Sequence, residues 1–204
     1  MSRLFVKICG LTRVQDAELA AALGARALGF VFWPDSPRAV TAEAAKAIAA
    51  RIPKDVTKVG VFVNEDIERV RDIVDEVGLD FAQLHGDETP EYCQRLARKV
   101  IKAVGIREDG GSTFASFDSD VLLLVDAHDP AARGGTGRTV DWDAARAVAA
   151  ERPLILAGGL NAANVRLAVR SVRPYGVDVS SGVESAPGIK DPAKLRSFFE
   201  VLHD

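Results

Sequence analysis

Apolar and polar positions along this chain alternate between two rhythms. Short, almost continuous apolar runs occupy residues 4–9, 27–32, 58–63, 81–85, 100–104, 121–126, 154–157 and 177–180. Runs of this length, rich in Val, Ile, Leu and Phe, predict strands buried on both faces. The segments between them are rich in Ala, Leu, Glu and Arg and repeat their apolar residues every three or four positions, which predicts helices. The clearest of these cover 12–23, 42–51, 66–77, 141–150, 162–172 and 192–202. Thr41, and Asn64 ahead of Glu65 and Asp66, are placed to start helices, while Gly24 and Gly78 are placed to stop them. The connector 107–119 is rich in Gly and Ser, so any helix there is expected to be short or irregular.

Eight strand-and-helix units in succession predict an α/β fold, a parallel sheet closed into a (β/α)8 TIM barrel. An open dinucleotide-binding sheet would carry Gly-x-Gly-x-x-Gly after its first strand, and Cys9-Gly10-Leu11-Thr12 stands there instead. No linker or shift in composition divides the chain, so residues 1–204 are read as one domain with lean loops.

Composition acts mainly by exclusion. Apolar residues make up 48% and charged residues 27%, as in an ordinary globular domain. A net charge of -3, without a basic run, argues against a nucleic-acid partner. No apolar stretch reaches the roughly 18 residues of a membrane span, and the N-terminus lacks the apolar core of a signal peptide. Cys9 and Cys93 lie in different units without metal-ligand spacing, so a reduced, cytoplasmic protein without a metal site is expected. Oligomeric state is not legible.

Candidate chemistry gathers at the C-terminal ends of the strands, where barrels place their active sites. The two last strands end in Gly158-Gly159 and in Ser180-Ser181-Gly182, small residues that leave backbone N–H groups open to an anion. The loops after strands seven and eight form the common phosphate site of such barrels, so a phosphorylated ligand is expected. Period-two alternation puts Phe5, Lys7 and Cys9 on one face, and Leu122, Leu124 and Asp126 on one face, so Cys9 and Asp126 can both look over the barrel mouth.

Cys9 is a buried hydrophobe or a base. A helix N-terminus beyond it and Lys7 beside it would lower its pKa. Lys7 needs a partner inside a barrel, and Asp178 on the neighbouring last strand is the candidate, either as a structural ion pair or with a catalytic part. Asp126, after the apolar run 121–125, is a loop cap or a functional acid. Arg38, on a proline-stiffened loop, suits a substrate carboxylate, or else pairs at the surface with Asp35 or Glu43. Gln83 and His85 end strand four, and His85 is a general base or a ring that caps a loop. Gly134-Gly135-Thr136-Gly137 reads as a phosphate-contacting or lid loop, or as a surface turn. Cys93 and His203 are placed on outward helical segments and given no role.

These residues together resemble the phosphoribosylanthranilate isomerase family nearly end to end. The resemblance rests on Lys7-Ile8-Cys9-Gly10-Leu11-Thr12, Ser36-Pro37-Arg38, Gln83-Leu84-His85-Gly86 and Gly135-Thr136-Gly137 with Asp141-Trp142. It continues through Ala157-Gly158-Gly159-Leu160-Asn161, Asp178-Val179-Ser180-Ser181-Gly182-Val183-Glu184 and Pro187-Gly188-Ile189-Lys190-Asp191. It implies a cofactor-free Amadori rearrangement of phosphoribosylanthranilate in tryptophan biosynthesis. Cys9 would be the general base and Asp126 the general acid, with an acid pKa raised by its apolar approach. Arg38 would hold the anthranilate carboxylate, and Gly135–Gly137, Gly158-Gly159 and Ser181-Gly182 the phosphate. Gln83, His85, Asp178 and Ser180 complete the expected substrate-binding set. Trp33 stands where the family more often has tyrosine.

Related sugar-phosphate isomerases of histidine biosynthesis, and dual-substrate enzymes, use an aspartate where Cys9 stands, which argues against them. A non-catalytic sugar-phosphate-binding barrel should have lost its acid or base, and both remain.

Overall fold

The computed structural model describes residues 4–105, 116–126 and 142–203. Eight parallel strands close on themselves in chain order: β1 (Phe5–Ile8), β2 (Ala27–Val31), β3 (Thr57–Phe62), β4 (Phe81–Leu84), β5 (Val100–Val104), β6 (Leu122–Asp126), β7 (Leu154–Ala157) and β8 (Gly176–Val179). The predicted barrel is therefore the observed one. Closure runs through β1 and β8, with Phe5 opposite Gly176 and Lys7 opposite Asp178. Several strands stop one residue short of their predicted ends. The ladder still continues through those residues, because Cys9 N–H donates to the Val179 carbonyl at 2.9 Å and His85 N–H to that of Phe62 at 2.8 Å.

Helices α1 (Val14–Leu23), α2 (Ala42–Ala49), α3 (Ile67–Val77), α4 (Pro90–Leu96), α5 (Trp142–Glu151), α6 (Val165–Val172) and α7 (Pro192–His203) lie outside the barrel. In α3, Ile67, Val70, Ile73, Val74 and Val77 recur at helical spacing and are all buried. Thr41 caps α2 by accepting from Ala44 N–H, and Gly24 and Gly78 close α1 and α3 in the left-handed conformation, as expected. The start of α3 differs from the reading. Asp66 is the cap, accepting from Glu68 and Arg69 N–H, whereas Asn64 has φ 50 and binds the loop after β4. Asp is as good a cap as Asn, and the one nearer the apolar stripe wins.

Period two sorts the core into an inner and an outer layer. Phe5, Ala27, Val59, Ile101, Leu124 and Ile155 fill the barrel, while Val6, Ile8, Leu28, Phe30 and Phe62 pack outward against the helices. Each large apolar side chain buried in this way contributes about 1.5–3 kcal/mol relative to exposure. Cys93 belongs to the outer layer at 6% exposure, which corrects the outward placement expected for it. Its helix, α4, is too short for its face to be read from spacing. His203 is exposed in the last turn of α7. No described helix is long and apolar enough to cross a membrane.

After β8 the chain makes a 3-10 turn at Ser181–Val183 and then a small hairpin, β9 (Glu184–Ala186) and β10 (Ile189–Lys190). The hairpin returns Lys190 to the barrel mouth, fully buried. It is tied to α1, since Asp16 accepts from Lys190 N–H at 3.0 Å while held by Arg13.

Candidate active site

A cleft of about 730 Å³ opens at the C-terminal ends of the strands. Cys9, Arg38, Gln83, His85, Asp126, Gly158, Gly159, Asp178, Ser180, Ser181 and Gly182 all line it. Of the residues chosen from the sequence, Gly135, Thr136 and Gly137 lie outside the described residues. Cys9 packs with Val31, Val61 and Trp33, which form an apolar wall on one side.

Beneath Cys9, Lys7 is fully buried and donates to both carboxylate oxygens of Asp178 at 3.0 Å, which is the predicted pair. Burial pulls the Lys7 pKa down, but Asp178 and the Cys9 sulfur outweigh it, so it stands above the ordinary lysine value. Cys9 departs from expectation. Burial pushes its thiol up, Lys7 opposes this, Asp178 reinforces it, and the result is a raised pKa. The anticipated helix N-terminus is also remote, because α1 begins at Val14, beyond Gly10–Arg13. A dipole acts only within its first turn, and desolvation acts at the sulfur itself.

Across the cleft, Asp126 ends β6 behind the buried run Leu123–Val125, with its side chain 29% exposed toward the opening. His85 Nε2 lies 3.6 Å from its Oδ2. Burial lowers the His85 pKa more than Asp126 raises it, leaving a neutral ring at neutral pH. Gln83 Nε2 sits 3.3 Å from His85 Nδ1. With the amide nitrogen as donor, Nδ1 accepts and the ring proton resides on Nε2, facing Asp126. The Gln83 oxygen Oε1 is buried without a hydrogen-bond partner among the described residues.

Arg38 reaches the cleft but pairs with neither Asp35 nor Glu43. Its Nε and Nη2 donate to the Glu184 carboxylate at 2.6–3.1 Å. Lys190 Nζ donates to the same carboxylate at 2.8 Å, to the Cys9 carbonyl at 2.5 Å and to the Ser180 carbonyl at 3.2 Å. The sequence reading assigned no role to Glu184 or Lys190. The signal available was an unexplained Glu and Lys beside a strand end that already carried site residues.

Another buried ion pair fastens the opposite rim. Glu88 accepts from Lys102 Nζ at 2.8 Å, from Asn64 N–H at 2.8 Å and from Gly86 N–H at 2.9 Å, joining the middle of β5 to the ends of β3 and β4. It was also missed, because nothing along the chain shows that Lys102, on the helix-facing side of β5, is buried against Glu88.

The Gly-rich turns after β7 and β8 both line the cleft. Gly158 and Gly159 have φ 91 and 61, a double left-handed turn that side chains would strain. The Gly159 carbonyl is held by the side-chain amides of Asn161 and Asn164, so the acceptor of this turn is already occupied. Gly182 packs so closely on the Leu160 carbonyl that no β-carbon fits between them. This contact joins the turns after β7 and β8 into one continuous rim of the cleft. Among the described residues, no group of three His, Cys, Asp or Glu is placed to hold a metal.

Comparison with known proteins places this geometry in a family. The sequence model described as N-(5'phosphoribosyl)anthranilate (PRA) isomerase matches residues 6–201. An N-(5'-phosphoribosyl)anthranilate isomerase of Pelobacter propionicus is 49% identical over 98% of this chain and 95% of its own. The crystal structure of phosphoribosyl anthranilate isomerase from Thermotoga maritima superposes with a TM-score of 0.88 at 40% identity, covering 98% of each chain. A phosphoribosyl anthranilate isomerase in complex with reduced 1-(o-carboxyphenylamino)-1-deoxyribulose 5-phosphate gives a TM-score of 0.84 at 38% identity, again over 98% of each chain.

Proposed function

The chain belongs to the N-(5'-phosphoribosyl)anthranilate isomerase family, and we propose that it performs the family's reaction with Cys9 as base and Asp126 as acid. It is an isomerase of tryptophan biosynthesis, converting the aminoaldose N-(5'-phosphoribosyl)anthranilate to 1-(2-carboxyphenylamino)-1-deoxyribulose 5-phosphate. The observation that carries the residue assignment is that Cys9 and Asp126, at the ends of β1 and β6, line one cleft together with the Gly turns after β7 and β8 and the Arg38 guanidinium.

In this reading the substrate phosphate sits at Gly158-Gly159 and Ser181-Gly182, and Gly135, Thr136 and Gly137 are further phosphate-binding residues. The anthranilate ring lies against Trp33, Val31 and Val61, and its carboxylate meets Arg38. Gln83 Oε1 accepts a hydrogen bond from a donor on the sugar or its nitrogen. Asp126 gives its proton to the furanose ring oxygen as the bond from that oxygen to C1' breaks. The nitrogen lone pair then forms the C1' iminium. Cys9 takes the proton from C2', and that electron pair neutralises the iminium to give an enolamine. Loss of the C2' hydroxyl proton and gain of a proton at C1' complete the ketone, so nothing is oxidised or reduced overall.

A thiol of raised pKa is a strong acceptor once ionised, and the cationic iminium beside it favours the thiolate. His85 N–H, directed at Asp126, orients the acid. Lys7 and Asp178 form the charged floor under the base. The two free cysteines suit a reducing compartment, and we place the enzyme in the cytoplasm.

The test is turnover of phosphoribosylanthranilate generated in place from anthranilate and phosphoribosyl pyrophosphate by the preceding enzyme. Fluorescence decay well above the spontaneous rate, with the ribulose phosphate as product, is expected. Decay at the blank rate overturns the reading.

A further inference from the structure

We propose that Glu184 is the positioning residue for Arg38, holding one edge of its guanidinium so that the other edge meets the substrate's ring carboxylate. The inference rests on the reading of Arg38 given above. It adds a residue that acts only through that arginine.

The geometry is specific. Arg38 offers five N–H donors, and Nε with one Nη2 hydrogen is directed at the two oxygens of Glu184. That interaction occupies the Nε–Nη2 edge and leaves the Nη1–Nη2 edge, whose paired donors match a second carboxylate. An arginine side chain is long and rotamer-rich. Held by a single bidentate contact, it presents its remaining fork in one orientation at little further entropic cost.

Glu184 is itself immobilised. Its side chain is 4% exposed, and Gly188 N–H and Lys190 Nζ bind the Oε1 oxygen at 3.3 and 2.8 Å. Burial pushes its carboxyl pKa up, but Arg38 and Lys190 outweigh this and hold it below the usual range. A charged anchor is thus present throughout the neutral range. Lys190 ties the anchor to the rest of the site through the carbonyls of Cys9 and Ser180. One buried carboxylate therefore sets the spacing between the carboxylate subsite and the base.

The experiment measures binding of two ligands by calorimetry: the reduced product analogue that bears the ring carboxylate, and the same compound with an unsubstituted phenyl ring. Wild type is expected to prefer the carboxylated ligand by about tenfold or more. Arg38→Met and Glu184→Gln should both abolish that preference, while the phenyl compound binds each within about threefold of wild type. If Arg38→Met keeps the preference, the carboxylate reading of Arg38 fails. If Arg38→Met loses it and Glu184→Gln keeps it, Arg38 stands and the role of Glu184 is overturned. Equal weakening of both ligands in Glu184→Gln makes Glu184 merely structural and overturns the proposal too. Should Glu184→Gln not fold, Glu184→Asp draws the carboxylate back by one methylene. That variant should cut the preference at least about threefold, and an undiminished preference contradicts the proposal.

Discussion

Lys7 and Asp178 face each other in register across the seam that closes the barrel, with Nζ 3.0 Å from each carboxylate oxygen. An added methyl at Gly29, on the other neighbour of β1, would lie 3.0 Å from both Lys7 Nζ and the Cys9 sulfur, which shows how closely the pair underlies the thiol. Removing Lys7 strands a buried carboxylate. Lys7→Met is expected to cost about 3–5 kcal/mol in urea unfolding, and Lys7→Met with Asp178→Leu should recover most of it. A loss under about 1 kcal/mol in the single variant would contradict a buried, desolvated pair.

The same pair also acts on the thiol. The charged groups around Cys9 are Lys7 and Asp178 in the barrel, Lys190 from the hairpin and Arg38 from the loop after β2. Burial dominates them and raises the thiol pKa above the ordinary value. Alkylation of Cys9 by iodoacetamide, in a Cys93→Ser background, should climb about tenfold per pH unit from pH 7 toward 9 without levelling off. Asp178→Asn should bring the levelling to lower pH and Lys7→Met move it higher, because the two charges act on the thiolate with opposite signs. A plateau below about pH 8 in the unaltered site contradicts the burial argument.

Gly182 makes a prediction about phosphate binding. Its approach to the Leu160 carbonyl leaves no room for a methyl, so Gly182→Ala must part the turns after β7 and β8. Affinity for phosphate-bearing ligands should fall about tenfold, read as a rise in KM and in the inhibition constant of inorganic phosphate. Unchanged constants would remove these turns from phosphate binding.

Much of this site was legible because two simple periods govern it. Alternation along β1 and β6 put Cys9 and Asp126 on the inner face, and strand closure brought Lys7 to Asp178. Glycines at the ends of β7 and β8 marked tight turns that line the cleft. Contacts between residues far apart along the chain were not legible. Arg38 and Glu184 are 146 positions apart, and only the turn-back of β9 and β10 carries Glu184 and Lys190 over the mouth. The direction of the Cys9 shift was also hidden. It depends on whether burial or neighbouring charge prevails, and spacing reveals charges but not the depth of a sulfur. Asn64 shows the same limit on a small scale, since Asn64 and Asp66 both suit a cap and only the packing of Ile67 decides between them.

The central claim is that one thiol and one carboxyl divide the proton transfers. The most direct measurement is steady-state turnover of phosphoribosylanthranilate by Cys9→Ala and Asp126→Asn, alongside each variant's affinity for the reduced product analogue. The predicted result is a fall in kcat of about 10²–10⁴ in each variant, with analogue affinity kept within about threefold. A kcat within about tenfold of wild type in either variant would contradict the role assigned to that residue.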